Sequence, residues 1–291
     1  MRRRTLTPLI FPDWKRRIAF ETLRPYTAIK HYLDGLKQLA IVTTGDGLRQ
    51  VLIDYREFMQ KVPLDALPFK VPTNTQQVFN EWIVNIAQQE IRMGVVPTFK
   101  KEWLDSFTQD IANQVQGHYP YYHMAVTQLV TEDKAGYAET CRRMLDRFLE
   151  TNKPLEARFA AWTACLAPSS LSDYSPALDL YQRLHSGDAV GVELGALLYR
   201  AGEFSRARDE LLRIAEIENP NSSPAYVWYF LAMVEMKLGN RDTATAWAKK
   251  ADERLAEQQS AAAYSTTLWN RVATERLLQS ETRMVLQGTN E

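Results

Sequence analysis

Residues 193–220 read ELGALLYRAGEFSRARDELLRIAEIENP, and residues 230–255 read FLAMVEMKLGNRDTATAWAKKADERL. The two segments repeat each other at an offset of 37 residues: Leu194 aligns with Leu231, Gly195 with Ala232, Gly202 with Gly239, Ala207 with Ala244 and Ile214 with Ala251. Self-similarity at a fixed period marks supersecondary units that bury their apolar faces by stacking. Within the first unit Leu194, Leu197, Leu198 and Ala201 form one helical stripe, and Ala207, Leu211 and Ile214 form the next. That spacing of three and four predicts two helices with one buried face each. Gly202 stands between them, where a residue tolerant of left-handed dihedrals ends a helix. Small residues at Gly195, Ala207, Ala232 and Ala244 mark close helix crossings, and Pro220 ends the unit.

These residues resemble the tetratricopeptide repeat family. Leu194, Gly195, Ala207, Leu211, Ile214 and Pro220 follow its signature in order, with the proline displaced by one position, and Trp228, Leu231, Ala232, Ala244, Ala248 and Ala251 follow it again. The resemblance implies an all-α fold: a right-handed helical-hairpin (TPR-like) solenoid over residues 118–287. A weaker unit begins at Tyr119. With Tyr137 on the small crossing position, Tyr121 aligns with Trp228, Ala125 with Ala232 and Met144 with Ala251, but the turn Glu132-Asp133-Lys134 lacks the glycine. Another unit pairs Phe159–Leu166 with Pro176–Leu184 across the longer loop Ala167–Tyr174. The stretch Ser265–Leu286 reads as a final amphipathic helix that caps the array.

Upstream of the repeats, residues 1–20 form a basic arm with Arg2 to Arg4, Lys15 to Arg17 and Trp14. Residues 21–117 read as a helical N-terminal region of no recognised type. Helices are expected over Tyr26–Thr43, Leu48–Val62, Thr75–Met93 and Lys100–Val115, with a break around Pro63, Pro68 and Pro72. Gly45 and Gly47 sit in a turn without the Lys-Ser/Thr of a phosphate-binding loop.

The chain has 291 residues, 45% of them hydrophobic, and 35 basic side chains balance 35 acidic ones. No global field therefore points to nucleic acid, a membrane or an acidic substrate. Cys141 and Cys165 fall in helical patterns without metal-ligand spacing, which suits buried thiols in a reducing compartment. The short apolar run near the N-terminus is broken by Pro8 and Pro12, unlike a secretory signal, and the expected location is cytoplasmic.

No HExxH, GxSxG, GxGxxG or CxxC motif is present, and His31, His118, His123 and His185 are scattered. We therefore expect no enzyme, no catalytic residue, no cofactor and no metal. The resemblance implies that first helices line a concave groove. On that register Tyr119, Tyr122, Val126 and Leu129 face inward from one unit, Ala196 and Tyr199 from a later one, and Tyr226, Tyr229, Met233 and Lys237 from the last. Tyrosine and methionine give broad, adaptable contact area.

Tetratricopeptide modules that clamp a terminal carboxylate use Lys, Asn and Arg in the groove. Here Val192, Ala196, Tyr229, Phe230 and Met233 stand at those sites, so an apolar or internal peptide, or a partner domain, is the expected ligand. Residues 119–287 are also similar to repeat blocks behind Ser/Thr kinase domains in some bacterial proteins, through HMAVTQLV, YAETCRRMLDRF, LLYRAGEFSRA and LWNRVATERLL. No HRD, DFG or glycine loop accompanies them. The expected function is a non-catalytic protein-binding scaffold or adaptor. Two alternatives stand beside it: nucleic-acid association through the basic arm, and regulation of a Ser/Thr kinase in trans.

Overall fold

The computed structural model describes residues 35, 46–61, 73–113, 117–185, 191–215, 223–260 and 268–288. The basic arm, the first expected helix apart from Gly35, the proline-rich break and the Pro220 turn lie outside the described residues. Among those described, every regular element is a helix.

The chain divides into two compact units, residues 1–86 and 87–291. The first holds α1 (Asp46–Lys61) and most of α2 (Thr73–Met93). Val51, Leu52 and Tyr55 form a buried stripe on α1, and burial pushes the Tyr55 phenol up to about 12. Ile83 and Ile86 are buried on α2.

The second unit begins with the last turns of α2 and continues through α3 (Lys100–Ala112), α4 (Tyr119–Val130), α5 (Lys134–Phe148), α6 (Pro154–Cys165) and α7 (Ser175–Leu184). It ends with α8 (Val192–Arg200), α9 (Phe204–Ala215), α10 (Pro224–Lys237), α11 (Arg241–Ser260) and α12 (Trp269–Gln287). Proline stands in the first turn of α4, α6, α7 and α10, where its missing N–H removes no helical hydrogen bond.

Four consecutive pairs follow from the contacts: α4 with α5, α6 with α7, α8 with α9, and α10 with α11. The first helices also touch in succession, α4 with α6, α6 with α8 and α8 with α10. Each second helix meets the first helix of the next pair. Ala207 and Ala244, at the crossing positions, are wholly buried. At Gly195 an added Cβ would lie 2.5 Å from Leu211 Cγ, so only glycine lets α8 and α9 approach this closely.

Tyr137 is large where the α8–α9 and α10–α11 hairpins have Ala207 and Ala244, and its ring has a specific place to go. Its hydroxyl donates to Thr163 O at 2.8 Å and accepts from Ala167 N at 3.1 Å, tying α5 to the end of α6. The loop after α6 is held by Ser170, whose hydroxyl donates to Ala164 O at 2.6 Å and lies 2.9 Å from the Tyr174 hydroxyl.

Candidate partner-binding surface

The first helices α4, α6, α8 and α10 form a row whose side chains are apolar for a reason visible in α10. From Ala225 to Glu235 nearly every residue is buried, including Tyr226, Tyr229, Phe230 and Met233. A helix that is hydrophobic all round is covered on all sides. Helices α8, α9 and α11 cover part of α10, and α12 covers more.

Helix α12 contacts α4, α10 and α11, so it reaches from the first hairpin to the last along the row of first helices. Only a narrow strip of it, at Ser280, Arg283, Met284 and Gln287, is exposed over the last two turns. Trp269 starts the helix edge-on to Trp103 of α3, with ring centroids 5.0 Å apart, and 5.3 Å from the His123 ring. Arg276 reaches the end of α2, where Nη1 donates to Ile91 O at 2.7 Å and Nη2 to Arg92 O at 2.6 Å. Beside these carbonyls the buried Glu90 carboxylate accepts from Thr98 N and Thr98 Oγ1, fixing the turn between α2 and α3.

Of the eight residues expected to bind a partner, six are buried. The Tyr122 hydroxyl lies 3.4 Å from Thr274 Oγ1 of α12, and the Tyr226 hydroxyl donates to Arg271 O at 3.4 Å. The Tyr229 hydroxyl donates to Asp252 Oδ1 of α11 at 2.8 Å, an oxygen that also accepts from Gln279 Nε2 of α12. Val126 and Met233 have no exposed surface, and Tyr199 packs edge-on to Phe230 with centroids 5.9 Å apart. Tyr119 is 39% exposed and stands edge-on to Phe159 at 5.0 Å; Lys237, in the last turn of α10, is exposed. Ala196 is buried and Leu129 half-buried.

Charge enters this interior at several buried carboxylates, Glu193, Glu235, Glu275 and Glu281, and sequence reasoning missed the ion pair at the last of them. Arg200, the last residue of α8, forms a two-point ion pair with Glu281 of α12: Nη2 donates to Oε2 at 2.7 Å and Nη1 to Oε1. The side chains are 3% and 9% exposed, so both charges are out of water. Burial favours the neutral guanidine, but the adjoining Glu281 carboxylate more than offsets this and holds the arginine pKa above its ordinary value. Arg200 Nε and Nη2 also donate to Cys165 O at 3.1 and 2.7 Å. Glu275 of α12 is buried as well, and burial raises its carboxyl.

Burial also sets the remaining titratable groups. The Cys141 thiol is pushed up to about 12 and Cys165 higher still, so both are unreactive as thiols in the folded chain. His123, among Phe107, Tyr119, Tyr122 and Trp269, is held down at about 4 by desolvation. Among the described residues no group of three or more His, Cys, Asp or Glu is arranged to hold a metal, and no helix is long and apolar enough to cross a membrane. No protein-family model matches the chain, and comparison with curated proteins gives no match.

Proposed function

We propose that the chain is a non-catalytic interaction protein, a cytoplasmic scaffold or adaptor. In this reading the four hairpins form a TPR-like solenoid, and the row of first helices receives an apolar segment of a protein partner. The observation that carries the reading is that α12 lies along α4 and α10, which gives this row a helix-holding chemistry. Val126 and Met233 offer apolar surface, while the Tyr122 and Tyr226 hydroxyls meet a side-chain hydroxyl and a main-chain carbonyl of the seated helix.

The test uses the full chain as bait in cell extract, beside the variant Tyr119→Ala/Lys237→Glu. These are the two exposed members of the expected set, in the first turn of α4 and the last turn of α10, where a partner laid along the row would meet them. A protein partner that survives a salt wash able to strip nucleic acid, and that is depleted with the variant, supports the reading. Recovery of nucleic acid alone, released by salt, overturns it in favour of the basic arm. A Ser/Thr kinase among the retained proteins would identify the partner class.

A further inference from the structure

The ion pair under α12 has two halves of different origin. The guanidinium of Arg200 is fixed by the row itself: Cys165 O at the end of α6 accepts from Nε and Nη2, and the Tyr199 and Phe230 rings lie 5.3 and 5.6 Å from its central carbon. These partners belong to α6, α8 and α10, and none belongs to α12. The carboxylate is brought by α12 alone. The same division holds for the tyrosines, because Tyr122 and Tyr226 belong to the row and meet Thr274 Oγ1 and Arg271 O of α12.

A cap that only had to cover apolar surface would do so at least as well with an apolar contact at this point. A buried ion pair gains little net stability, because desolvation of both charges offsets their attraction. What it does supply is discrimination. A helix without the carboxylate would leave one edge of a buried guanidinium unpaired.

We propose that α12 is a built-in competitor for the partner-binding seat. The row of first helices selects an amphipathic helix with apolar residues at the spacing of Trp269, Val272, Leu278 and Val285 and a carboxylate at the Glu281 position. Helix α12 holds this seat until a partner helix of the same chemistry displaces it. The inference rests on the partner-binding reading and specifies the ligand: an amphipathic helix with one carboxylate at the Glu281 position, chosen by Arg200.

The test supplies the helix in trans. A labelled peptide of residues 268–288, LWNRVATERLLQSETRMVLQG, is titrated into the full chain carrying Glu281→Arg, where two buried cations repel and α12 leaves its seat. The peptide should bind this variant about tenfold or more tightly than it binds the unmodified chain, whose seat is filled. A peptide carrying Glu281→Gln should bind the variant about tenfold to a hundredfold more weakly than the unaltered peptide.

Hydrogen exchange on the unmodified chain gives a second reading that needs no variant. The α12 amides should exchange by a partial opening, ahead of those of α8 and α10. Failure of the peptide to bind a folded Glu281→Arg chain, or equal binding of the two peptides, overturns the proposal. If that variant does not fold, exchange decides: α12 amides that open only with the whole unit overturn it. Peptide binding without any cellular protein partner would preserve this seat while sinking the adaptor reading. Partner capture with an immovable α12 would do the reverse.

Discussion

Glu132 and Gly202, 70 residues apart, occupy the same left-handed turn position in the first and third hairpins, with φ of 61° and 81°. The hydrogen bonds are the same too. Glu132 N donates to Leu129 O and Asp133 N to Gln128 O, as Gly202 N does to Tyr199 O and Glu203 N to Leu198 O. Gly239 repeats the pattern a third time, with Met236 O and Glu235 O as acceptors. This pair of bonds satisfies the last carbonyls of each first helix. The α4–α5 turn therefore has the shape of the α8–α9 and α10–α11 turns without their glycine.

A left-handed conformation costs a residue with a Cβ about 1–2 kcal/mol, against about 0.5–1 kcal/mol of extra chain entropy for glycine. Glu132→Gly should accordingly raise stability by a few tenths to about 1 kcal/mol. Gly202→Ala should lower it by a similar few tenths to about 1 kcal/mol, all of it from the backbone, since no atom lies within 4 Å of the added Cβ. Urea midpoints at unchanged slope are the measurement, and a loss of stability in Glu132→Gly would contradict the turn assignment.

Arg200 and Glu281 should behave as a unit in a double-mutant cycle. Either Arg200→Met or Glu281→Leu alone strands a buried charge and should cost about 3–5 kcal/mol. The double variant should cost far less than the sum, because the stranded charge is gone. Additive losses in urea unfolding would show that the two charges do not depend on each other.

The hairpins α8–α9 and α10–α11 were legible because Gly202, Gly239, Ala207 and Ala244 keep one register across 37 residues. The α4–α5 turn was legible in its place, at Glu132-Asp133-Lys134, and not in its shape, because Glu132 gives no sign of a positive φ. The final helix was legible as amphipathic through Leu268, Trp269, Val272 and Val285. Periodicity identifies the face that is buried and says nothing of the surface that buries it. Its place along α4 and α10 had one available sign: Ala225 to Val234 lacks the polar stripe that an open groove would leave on α10. The ion pair had none, since Arg200 and Glu281 are 81 residues apart and each lies within an ordinary mixture of charges. Tyr119 and Lys237 are the two members of the expected set left exposed.

Tyr137→Phe isolates the phenol that replaces a small crossing residue. The ring stays, so packing is kept, while Ala167 N loses its acceptor and Thr163 O its strongest donor. The expected loss is about 1–3 kcal/mol for a buried polar group left short of a partner. The effect should appear as a lower urea midpoint with an unchanged slope. A neutral result would mean that water replaces the hydroxyl at the end of α6.

Stability should fall in mild acid, and His123 sets the window. Its folded-state pKa of about 4 lies below the ordinary value of 6.5, so the folded chain binds fewer protons than the unfolded chain between those limits. The neutral ring's contribution is present above about pH 6.5 and is lost as the pH falls toward 4, at up to about 1.4 kcal/mol per pH unit. His118, which stacks on Phe159 at 4.3 Å and is lowered by burial, acts with the same sign. Glu275 acts the other way: burial raises its carboxyl, and its protonation in the fold offsets part of the loss. Urea unfolding from pH 7.5 down to 4.5 should show the decline, and His123→Phe, which keeps an aromatic ring beside Trp269, should flatten most of it. An unchanged slope in that variant would place the proton uptake elsewhere in the chain.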